Sequence, residues 1–213
     1  MINTFRDRIQ AGLQLAKELH SYKDKPVVVL AIPRGGLPLG AAVARVLEAP
    51  LDVALTKKIG HPYNKEYAIG AVSLNSRILS AALEASEEYI EEETKRIREV
   101  LIHRQKQYYK NLKPQNLKDK TVIIVDDGIA TGNTILATIE LIYQNQPAKI
   151  IVAVPVAPAT AVEKLKSSAH VDEVICLHTP NNFRAVGQFY DEFNTVTDEE
   201  AIRILEECNK AIL

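Results

Sequence analysis

Runs of consecutive apolar residues recur along the chain, separated by segments in which apolar residues repeat at helical spacing. Such continuous runs are typical of strands that are buried on both faces of a parallel sheet. The alternation of strand and helix predicts an α/β fold with a doubly wound parallel sheet covered by helices. The predicted strands are residues 26–32, 51–55, 121–125, 149–156 and 171–177, and the predicted intervening helices are residues 37–47, 134–143 and 159–167.

One long segment, residues 82–112, departs from this alternation because it contains neither proline nor glycine. It predicts a helical insertion of about eight turns at 3.6 residues per turn. Its glutamates precede its lysines and arginines, an order that complements the helix dipole and suits either a solvated face or a functional surface. The apolar stripe of this helix is narrow and consists of Ile90, Ile97, Leu101 and Tyr108.

This narrow stripe predicts that the long helix lies along the body of the protein or across a partner subunit. Pairing of two copies would bury both stripes symmetrically, so we expect a homodimer. The alternative is that the stripe packs against the chain's own sheet, since a chain of 213 residues is long enough to fold alone.

Composition and charge narrow the classes of protein and partner. The residues are 46% hydrophobic and 25% charged, which is typical of a globular protein with a sizeable core. We expect one domain over residues 1–213, because no repeat, low-complexity tract or linker interrupts the chain. The 26 lysines and arginines nearly balance the 27 aspartates and glutamates, for a formal net charge of -1. No overall field favours nucleic acid or an acidic membrane, so we expect neither as a partner.

Two features of the sequence predict a cytoplasmic location. Cys176 and Cys208 are too few for a disulfide framework and lack metal-ligand spacing, as expected in a reducing compartment. Residues 1–19 have an amphipathic helical pattern with scattered charges, and they lack the continuous apolar centre of a signal peptide or a membrane span.

The segment at residues 121–142 carries the most specific chemistry. The pattern predicts a buried strand, two acids, a glycine-containing turn and an amphipathic helix. Ligands of parallel sheets bind at the carboxyl ends of the strands, where these acids and the turn lie. Gly128 and Gly132 permit positive φ and close backbone approach, so the turn can direct successive N–H groups at one anion. Further donors come from the side chains of Thr131, Asn133 and Thr134. These features predict a phosphate site at a helix N-terminus, where the dipole favours negative charge.

Asp126 and Asp127 are predicted to lie beside that phosphate. Two carboxylates at this place suit a vicinal diol such as the ribose 2′- and 3′-hydroxyls, so a sugar phosphate satisfies both halves of the segment. The alternative is an Asp-Gly turn whose acids only cap the chain. The sequence contains neither G-x-x-x-x-G-K-[ST] nor G-x-G-x-x-G, which excludes a Walker loop and a dinucleotide fingerprint.

The run VIIVDDGIATGNT at residues 122–134 resembles the phosphoribosyl diphosphate (PRPP) binding motif of type I phosphoribosyltransferases. The resemblance implies the fold of that family. It also implies that Asp126 and Asp127 are the catalytic acids, which hold the ribose and stabilise the positive charge that develops on it. The residues that the resemblance assigns to the 5′-phosphate are Gly128, Ala130, Thr131, Gly132, Asn133 and Thr134.

The loop AIPRGG after the first strand resembles the pyrophosphate loop of the same family. Gly35 and Gly36 can form a backbone anion nest, and Arg34 can place a guanidinium beside it. The alternative is a glycine turn with a surface arginine. After the second strand, TKKIGHPYNKEYAIGAV resembles a branch of phosphoribosyltransferases of unassigned acceptor, in which Lys57 and Lys58 either neutralise pyrophosphate or are plain surface charges. We expect only one of them to face the site, because side chains alternate in an extended segment.

Two further segments are predicted to cover the site. Residues 59–67 are expected to form a mobile loop that closes during the reaction, and His61 within it is either an acid or base or a solvated side chain. Residues 178–195, called the hood below, resemble the segment that covers the acceptor in the same branch. The aromatic residues of the hood that either bind the acceptor by stacking or pack in the core are Phe183, Tyr190 and Phe193.

The resemblance as a whole implies an enzyme that transfers a phosphoribosyl group from PRPP to an unidentified acceptor, a nucleobase or related compound, and releases pyrophosphate. It implies Mg²⁺ as the cofactor, held mainly by PRPP and water rather than by a protein metal site. An oxocarbenium-like transition state needs electrostatic stabilisation and no protein nucleophile. The alternative function is a regulatory protein that senses PRPP with the same site and does not turn it over.

Overall fold

The computed structural model describes residues 5–79, 85–110 and 112–210. The helices are α1 (Arg8–Glu18), α2 (Gly36–Leu47), α3 (Glu87–Tyr108), α4 (Asn133–Tyr143), α5 (Ala159–Lys166) and α6 (Asp198–Lys210). The strands are β1 (Val27–Ala31), β2 (Leu51–Val53), β3 (Thr56–His61), β4 (Asn64–Ser73), β5 (Arg77–Leu79), β6 (Thr121–Val125), β7 (Lys149–Val156) and β8 (Glu173–His178). Short 3-10 helices span His20–Tyr22 and Val186–Phe189. Among the described helices, none is long and apolar enough to cross a bilayer.

Five parallel strands form the central sheet in the order β2-β1-β6-β7-β8, which confirms the predicted doubly wound sheet. All residues of β1 and β6 are buried, as their continuous apolar runs indicated. Alternate residues of β6 belong to two hydrophobic clusters, one packed by α1, α2, α3 and α6 and the other by α4 and α5. The chain leaves β1 toward one edge and β6 toward the other, so the strand order reverses between these two strands. Crevices at such reversal points are the usual ligand sites of open α/β sheets.

A second, antiparallel sheet of order β3-β4-β5 occupies the region where a mobile loop was predicted. Residues 59–67 form a hairpin instead, with only Pro62 and Tyr63 between its two strands, so the prediction of an irregular loop is wrong, whereas closure of this segment during the reaction stays a prediction. Gly60 looked like a loop residue, but it lies at a register shift where a Cβ would come within 2.5 Å of the Lys65 carbonyl oxygen. Its glycine therefore allows two backbones to approach closely within a strand pair.

The long helix α3 begins later and ends earlier than the predicted insertion, and residues 82–84 and 111 of that prediction lie outside the described residues. Ser86 caps α3 by accepting a hydrogen bond from the Tyr89 amide at 3.3 Å, which explains why the helix begins at Glu87. All four predicted stripe residues are buried in the main hydrophobic cluster of their own chain. The stripe packs against this chain's body, so it provides no reason to expect a dimer.

Candidate active site

The loops that follow β1 and β6 are in direct contact at the carboxyl edge of the sheet. The Ile32 amide donates to the Val125 carbonyl oxygen at 2.9 Å. A Cβ at Gly35 would collide with the carboxylate of Asp127, and one at Gly36 would lie 2.8 Å from the Val125 carbonyl oxygen. Glycine is therefore required at both positions for the loops to meet. The two segments that were predicted to bind the ribose and the pyrophosphate are thus adjacent in space.

The turn between β6 and α4 has the predicted form of a phosphate cradle. Gly132 adopts a left-handed conformation, with φ of 76°, and is the N-cap of α4. The first amides of a helix have no partner within the helix, and the dipole makes this end favourable for an anion. The side chains of Thr131 and Thr134 are exposed beside these amides. An anion bound here would meet backbone and hydroxyl donors together.

Two details of the cradle differ from the prediction. Gly128 does not have a positive φ; a Cβ there would lie 2.6 Å from Cγ1 of Val186, so glycine is needed for the hood to pack against the turn. The Asn133 side chain has a partner that the sequence did not indicate, because its Oδ1 accepts a hydrogen bond from Lys164 of α5, while its Nδ2 can still donate to a ligand. This bond brings a lysine ammonium to the N-terminus of α4, where the sequence did not indicate a cation.

The acids Asp126 and Asp127 are partly buried next to each other. The Asp127 amide donates to Oδ1 of Asp126 at 2.9 Å, and Arg8 Nε donates to Oδ2 of Asp127 at 2.8 Å. Burial raises the pKa of Asp126 well above its ordinary value, and the neighbouring charge of Asp127 raises it further. Burial also raises the pKa of Asp127, although the hydrogen bond and charge of Arg8 oppose that effect. Ionising both acids in the free protein is therefore costly, and hydroxyl donors or a cation at this point would reduce the cost.

The loop at residues 33–36 has a shape other than the predicted nest. The Gly36 amide donates to the Ile32 carbonyl oxygen at 3.0 Å, and neither Gly35 nor Gly36 has a positive φ, so the nest prediction is wrong for this pair. The peptide bond between Pro33 and Arg34 is cis. Arg34 Nη1 lies 3.8 Å from Oδ2 of Asp198, the first residue of α6. Both side chains are more than two-fifths exposed, so this pairing leaves Arg34 available to an anionic ligand.

Lys57 and Lys58 lie within β3 of the small sheet. Both lysines line a cavity of about 470 Å³ together with residues of β4 and α3. The loops after β1 and β6 contribute none of the lining residues of this cavity. The neighbouring Thr56 shares a hydrogen bond of 2.8 Å with Thr138 of α4 through the two hydroxyl groups. Alternation along the strand predicts that Lys58 shares the face of Thr56, although both lysines contribute to the cavity beside α3.

Lys57 lies on the opposite face of β3, toward α3. There the Arg96 hydrogen bond lowers the pKa of the Glu93 carboxyl, and the charge of Lys57 contributes to the same effect. Lys57 therefore lies in the surroundings of Glu93 and Arg96, and which of the two lysines faces the substrate stays a prediction.

The hood packs directly on the acid pair. Tyr190 donates its hydroxyl to the Asp127 carbonyl oxygen at 2.6 Å. Tyr190 is only 7% exposed, and its ring centre lies 5.5 Å from that of Phe5 and 5.0 Å from that of Phe193, which fits the core-packing alternative for this residue. Phe183 packs at 5.6 Å from Phe189, which fits the core-packing alternative for this residue.

Similarity to known proteins identifies the family of this chain. The family model described as "Phosphoribosyl transferase domain" matches residues 1–194. The chain belongs to the phosphoribosyl transferase family. This assignment confirms the resemblance seen in residues 122–134 and extends it over most of the chain.

Two relatives match this chain over nearly its whole length. A protein of Mycobacterium tuberculosis named "Putative phosphoribosyl transferase" is 36% identical over 97% of this chain. The match covers 47% of that protein, so the chain spans about half the length of this curated relative. The crystal structure of TT1426 from Thermus thermophilus is 42% identical, has a TM-score of 0.88, and matches 96% of this chain and 98% of its own.

A third relative matches a shorter part of this chain. The uracil phosphoribosyltransferase of Mycoplasma genitalium is 42% identical over 66 residues, which make up 30% of this chain and 32% of that protein.

The sequence did not indicate Arg8, which is the main additional residue at the acid pair. It is the first residue of α1 and lies 119 positions before the acid that it binds. One signal was available, because a cation in the first turn of a helix is disfavoured by the dipole and gains from a nearby anion. The sequence did not indicate which anion that was. Asp198, which neighbours Arg34, was missed for the same reason of distance along the chain.

Proposed function

We propose that this protein transfers the phosphoribosyl group of PRPP to an acceptor and releases pyrophosphate. The observation that carries this proposal is the meeting of three features at the point where the strand order reverses. They are the acid pair, the α4 N-terminus with its left-handed glycine, and the loop that bears Arg34. PRPP contains a diol, a phosphate and a diphosphate within one small molecule. A ligand of that kind engages all three features at once.

In this proposal Asp126 and Asp127 accept hydrogen bonds from the ribose hydroxyls. The bond between C1 and the pyrophosphate oxygen breaks with its electron pair leaving on pyrophosphate, and a lone pair of the acceptor forms the new bond to C1. The ribose becomes more positive in the transition state, and two carboxylates beside it stabilise that charge. Their raised pKa values in the free protein support a site that is completed by a ligand.

The α4 N-terminus is proposed to hold the 5′-phosphate, with amides from the turn at Gly132 and the hydroxyls of Thr131 and Thr134 as donors. Arg34 is proposed to stabilise the leaving pyrophosphate. Lys58 is the lysine that we assign to the same role, because it lies on the face of β3 that carries the bond from Thr56 to α4.

The donor groups of the chain suit a Mg²⁺ ion that arrives with the substrate. Within residues 5–79, 85–110 and 112–210, no group of three or more His, Cys, Asp or Glu side chains could hold a metal ion by itself. Mg²⁺ commonly binds through one or two carboxylates together with substrate phosphates. Asp126 and Asp127 are the carboxylates at this edge. When bound, the ion would neutralise part of the charge that develops on pyrophosphate.

The proposal is tested by measuring pyrophosphate release from PRPP with Mg²⁺ and a panel of purine, pyrimidine and pyridine-carboxylate acceptors. We expect release with at least one acceptor class and none from the Asp126→Asn, Asp127→Asn double variant. Titration calorimetry of PRPP provides the second readout. PRPP binding without release across the panel would contradict an enzyme and favour the PRPP-sensing regulator instead.

Three predictions from the sequence stay as predictions within this proposal: a homodimer, a nucleobase-like acceptor and a cytoplasmic location. A homodimer would need an interface other than the α3 stripe, because that stripe is buried within one chain. Sedimentation at low micromolar concentration distinguishes a dimer from a monomer of 23.6 kDa.

A further inference from the structure

Arg8 joins the acid pair to the hood through one guanidinium group. Its Nε donates to Asp127 Oδ2 at 2.8 Å, and its Nη1 donates to the Asn194 carbonyl oxygen at 2.7 Å. The guanidinium carbon lies 3.9 Å from the centre of the Phe193 ring, a cation–π contact. The Arg8 side chain is only 11% exposed and that of Asp127 only 14%. The pair is therefore largely desolvated, unlike the exposed ion pairs on this protein's surface.

The chain before Arg8 is also fixed to the hood by backbone hydrogen bonds. The Phe5 amide donates to the Phe189 carbonyl oxygen at 2.7 Å, and the Asp191 amide donates to the Phe5 carbonyl oxygen at 2.9 Å. A third bond of 2.8 Å runs from the Glu192 amide to the Arg6 carbonyl oxygen. The start of α1 and the hood thus form one packed unit, and that unit contacts Asp127.

Asp127 is held by this unit at two places. Its carboxylate accepts from Arg8, and its carbonyl oxygen accepts from the Tyr190 hydroxyl. Arg8 is at a helix N-terminus, where the dipole opposes a cation, and it is desolvated. Both costs disfavour an arginine at this position unless its bond to Asp127 offsets them. This arrangement indicates a role for the pair beyond packing.

We propose that Arg8 is a positioning residue, which fixes the orientation and charge of the Asp127 carboxylate for the ribose and couples that carboxylate to the hood. The inference rests on the proposed function, because it assigns the ribose to Asp127. Arg8 acts through Asp127 and does not itself contact the reacting atoms.

The charged and titratable groups that face Asp127 are Asp126 beside it, Arg8 from α1 and Tyr190 from the hood. Arg8 is the cation that opposes the effect of burial on the pKa of Asp127. Arg8 is therefore the one cation among these groups, and its hydrogen bond fixes one oxygen of the Asp127 carboxylate.

The test compares Arg8→Gln with Arg6→Gln. Arg6 is a matched control, because it lies two residues away in the same segment but its side chain is exposed and bonds only to Asp7 among its described partners. We expect Arg8→Gln to weaken binding of PRPP with Mg²⁺ by about tenfold, while Arg6→Gln leaves it nearly unchanged. Arg8→Lys keeps the charge but lacks the paired Nε and Nη1 donors, so it is expected to restore only part of the affinity. Equal effects of Arg8→Gln and Arg6→Gln would overturn the proposal.

A double-mutant cycle separates positioning from an independent role of Arg8. If Arg8 acts through Asp127, then Arg8→Gln causes no further loss of PRPP affinity in an Asp127→Asn background. Independent, additive losses would overturn the proposal.

The same cycle measured on unfolding of the ligand-free protein uses no substrate. We expect it to be non-additive as well, and additive effects would again reject the pair. If the wild-type protein binds no PRPP, the proposed function fails, and this unfolding cycle decides whether Arg8 and Asp127 act together.

Discussion

The carboxyl edge of β1 and β6 and the small sheet of β3, β4 and β5 both carry groups suited to an anionic substrate, but they are built differently. At the edge, the loops touch so closely that Gly35 and Gly36 cannot carry a side chain, and the acids are partly buried. On the small sheet, the lysines sit on a short hairpin whose turn residue Tyr63 is 94% exposed. The edge has its shape before any ligand binds, because packing against the core fixes it. The turn of the hairpin lacks such packing, so we expect the small sheet to change shape more readily than the edge when a ligand binds.

This contrast predicts that changes at the edge affect PRPP binding far more than comparable changes on the small sheet. The largest difference should come from glycine substitutions. Gly35→Ala would force its Cβ into the Asp127 carboxylate, so we expect at least about a hundredfold loss of PRPP affinity or turnover. The matched variant is Gly70→Ala in β4, whose Cβ would lie 2.5 Å from the Ile78 carbonyl oxygen.

Both glycine variants create a steric clash, but only one clash involves a site residue. Gly70→Ala should therefore lower the melting temperature and change PRPP affinity much less than Gly35→Ala does. Calorimetric titration and thermal melts measure the two effects on the same samples. Similar losses of affinity in both variants would show that the small sheet is as much a part of the rigid site as the edge is.

The next largest effect is expected at the acid pair. Asp126→Asn should reduce turnover by about a hundredfold, because the ribose loses a charged acceptor beside its developing positive charge. The same change should raise the free energy of unfolding near neutral pH by about 1 kcal/mol, since it removes a carboxylate whose burial is costly. Activity and stability would then change in opposite directions.

The pH dependence of this stabilisation follows from the sign of the shift. The pKa of Asp126 is raised in the folded state, so the folded protein binds more protons than the unfolded chain and loses stability as pH rises through that interval. The advantage of Asp126→Asn should therefore be greatest at alkaline pH and disappear below about pH 4. Thermal melts of the wild type and Asp126→Asn across this pH range measure the difference in stability. The variant Asp191→Asn, at an exposed aspartate, is the control. An advantage that grows on acidification would refute the burial argument.

A third prediction concerns the helix that supports the small sheet. Ile97 is fully buried on α3, whereas Ile102 on the same helix is 45% exposed. Ile97→Ala should lower the free energy of unfolding by about 2 kcal/mol, and Ile102→Ala should change it little. Neither should alter the sedimentation of the folded protein. Dissociation of a dimer by Ile97→Ala without loss of stability would mean that the stripe is shared between chains after all.

The sequence predicted the edge better than the small sheet for a physical reason. The features at residues 121–134 depend on neighbours in sequence: a buried strand, adjacent acids, and a glycine whose positive φ begins a helix. The hairpin depends on pairing between strands, so Gly60 looked like a loop residue although it serves a close backbone approach. Arg8 could not be assigned to Asp127, because only the folded chain brings them together. Gly128 illustrates the same limit, since its partner Val186 belongs to the hood.

The smallest effect on PRPP affinity is expected from the two lysines of the small sheet. Lys58 lies on the face of β3 that is bonded to α4, whereas Lys57 lies on the face toward Glu93. Lys58→Ala should weaken PRPP binding by about threefold, and Lys57→Ala should leave it nearly unchanged, because salt and solvent screen a charge that lies at a distance from the ligand. The difference should shrink as salt is added to the titration. If Lys57→Ala weakened binding more than Lys58→Ala, the face of β3 assigned to the substrate would be the wrong one, and the anion would have to enter from the α3 side.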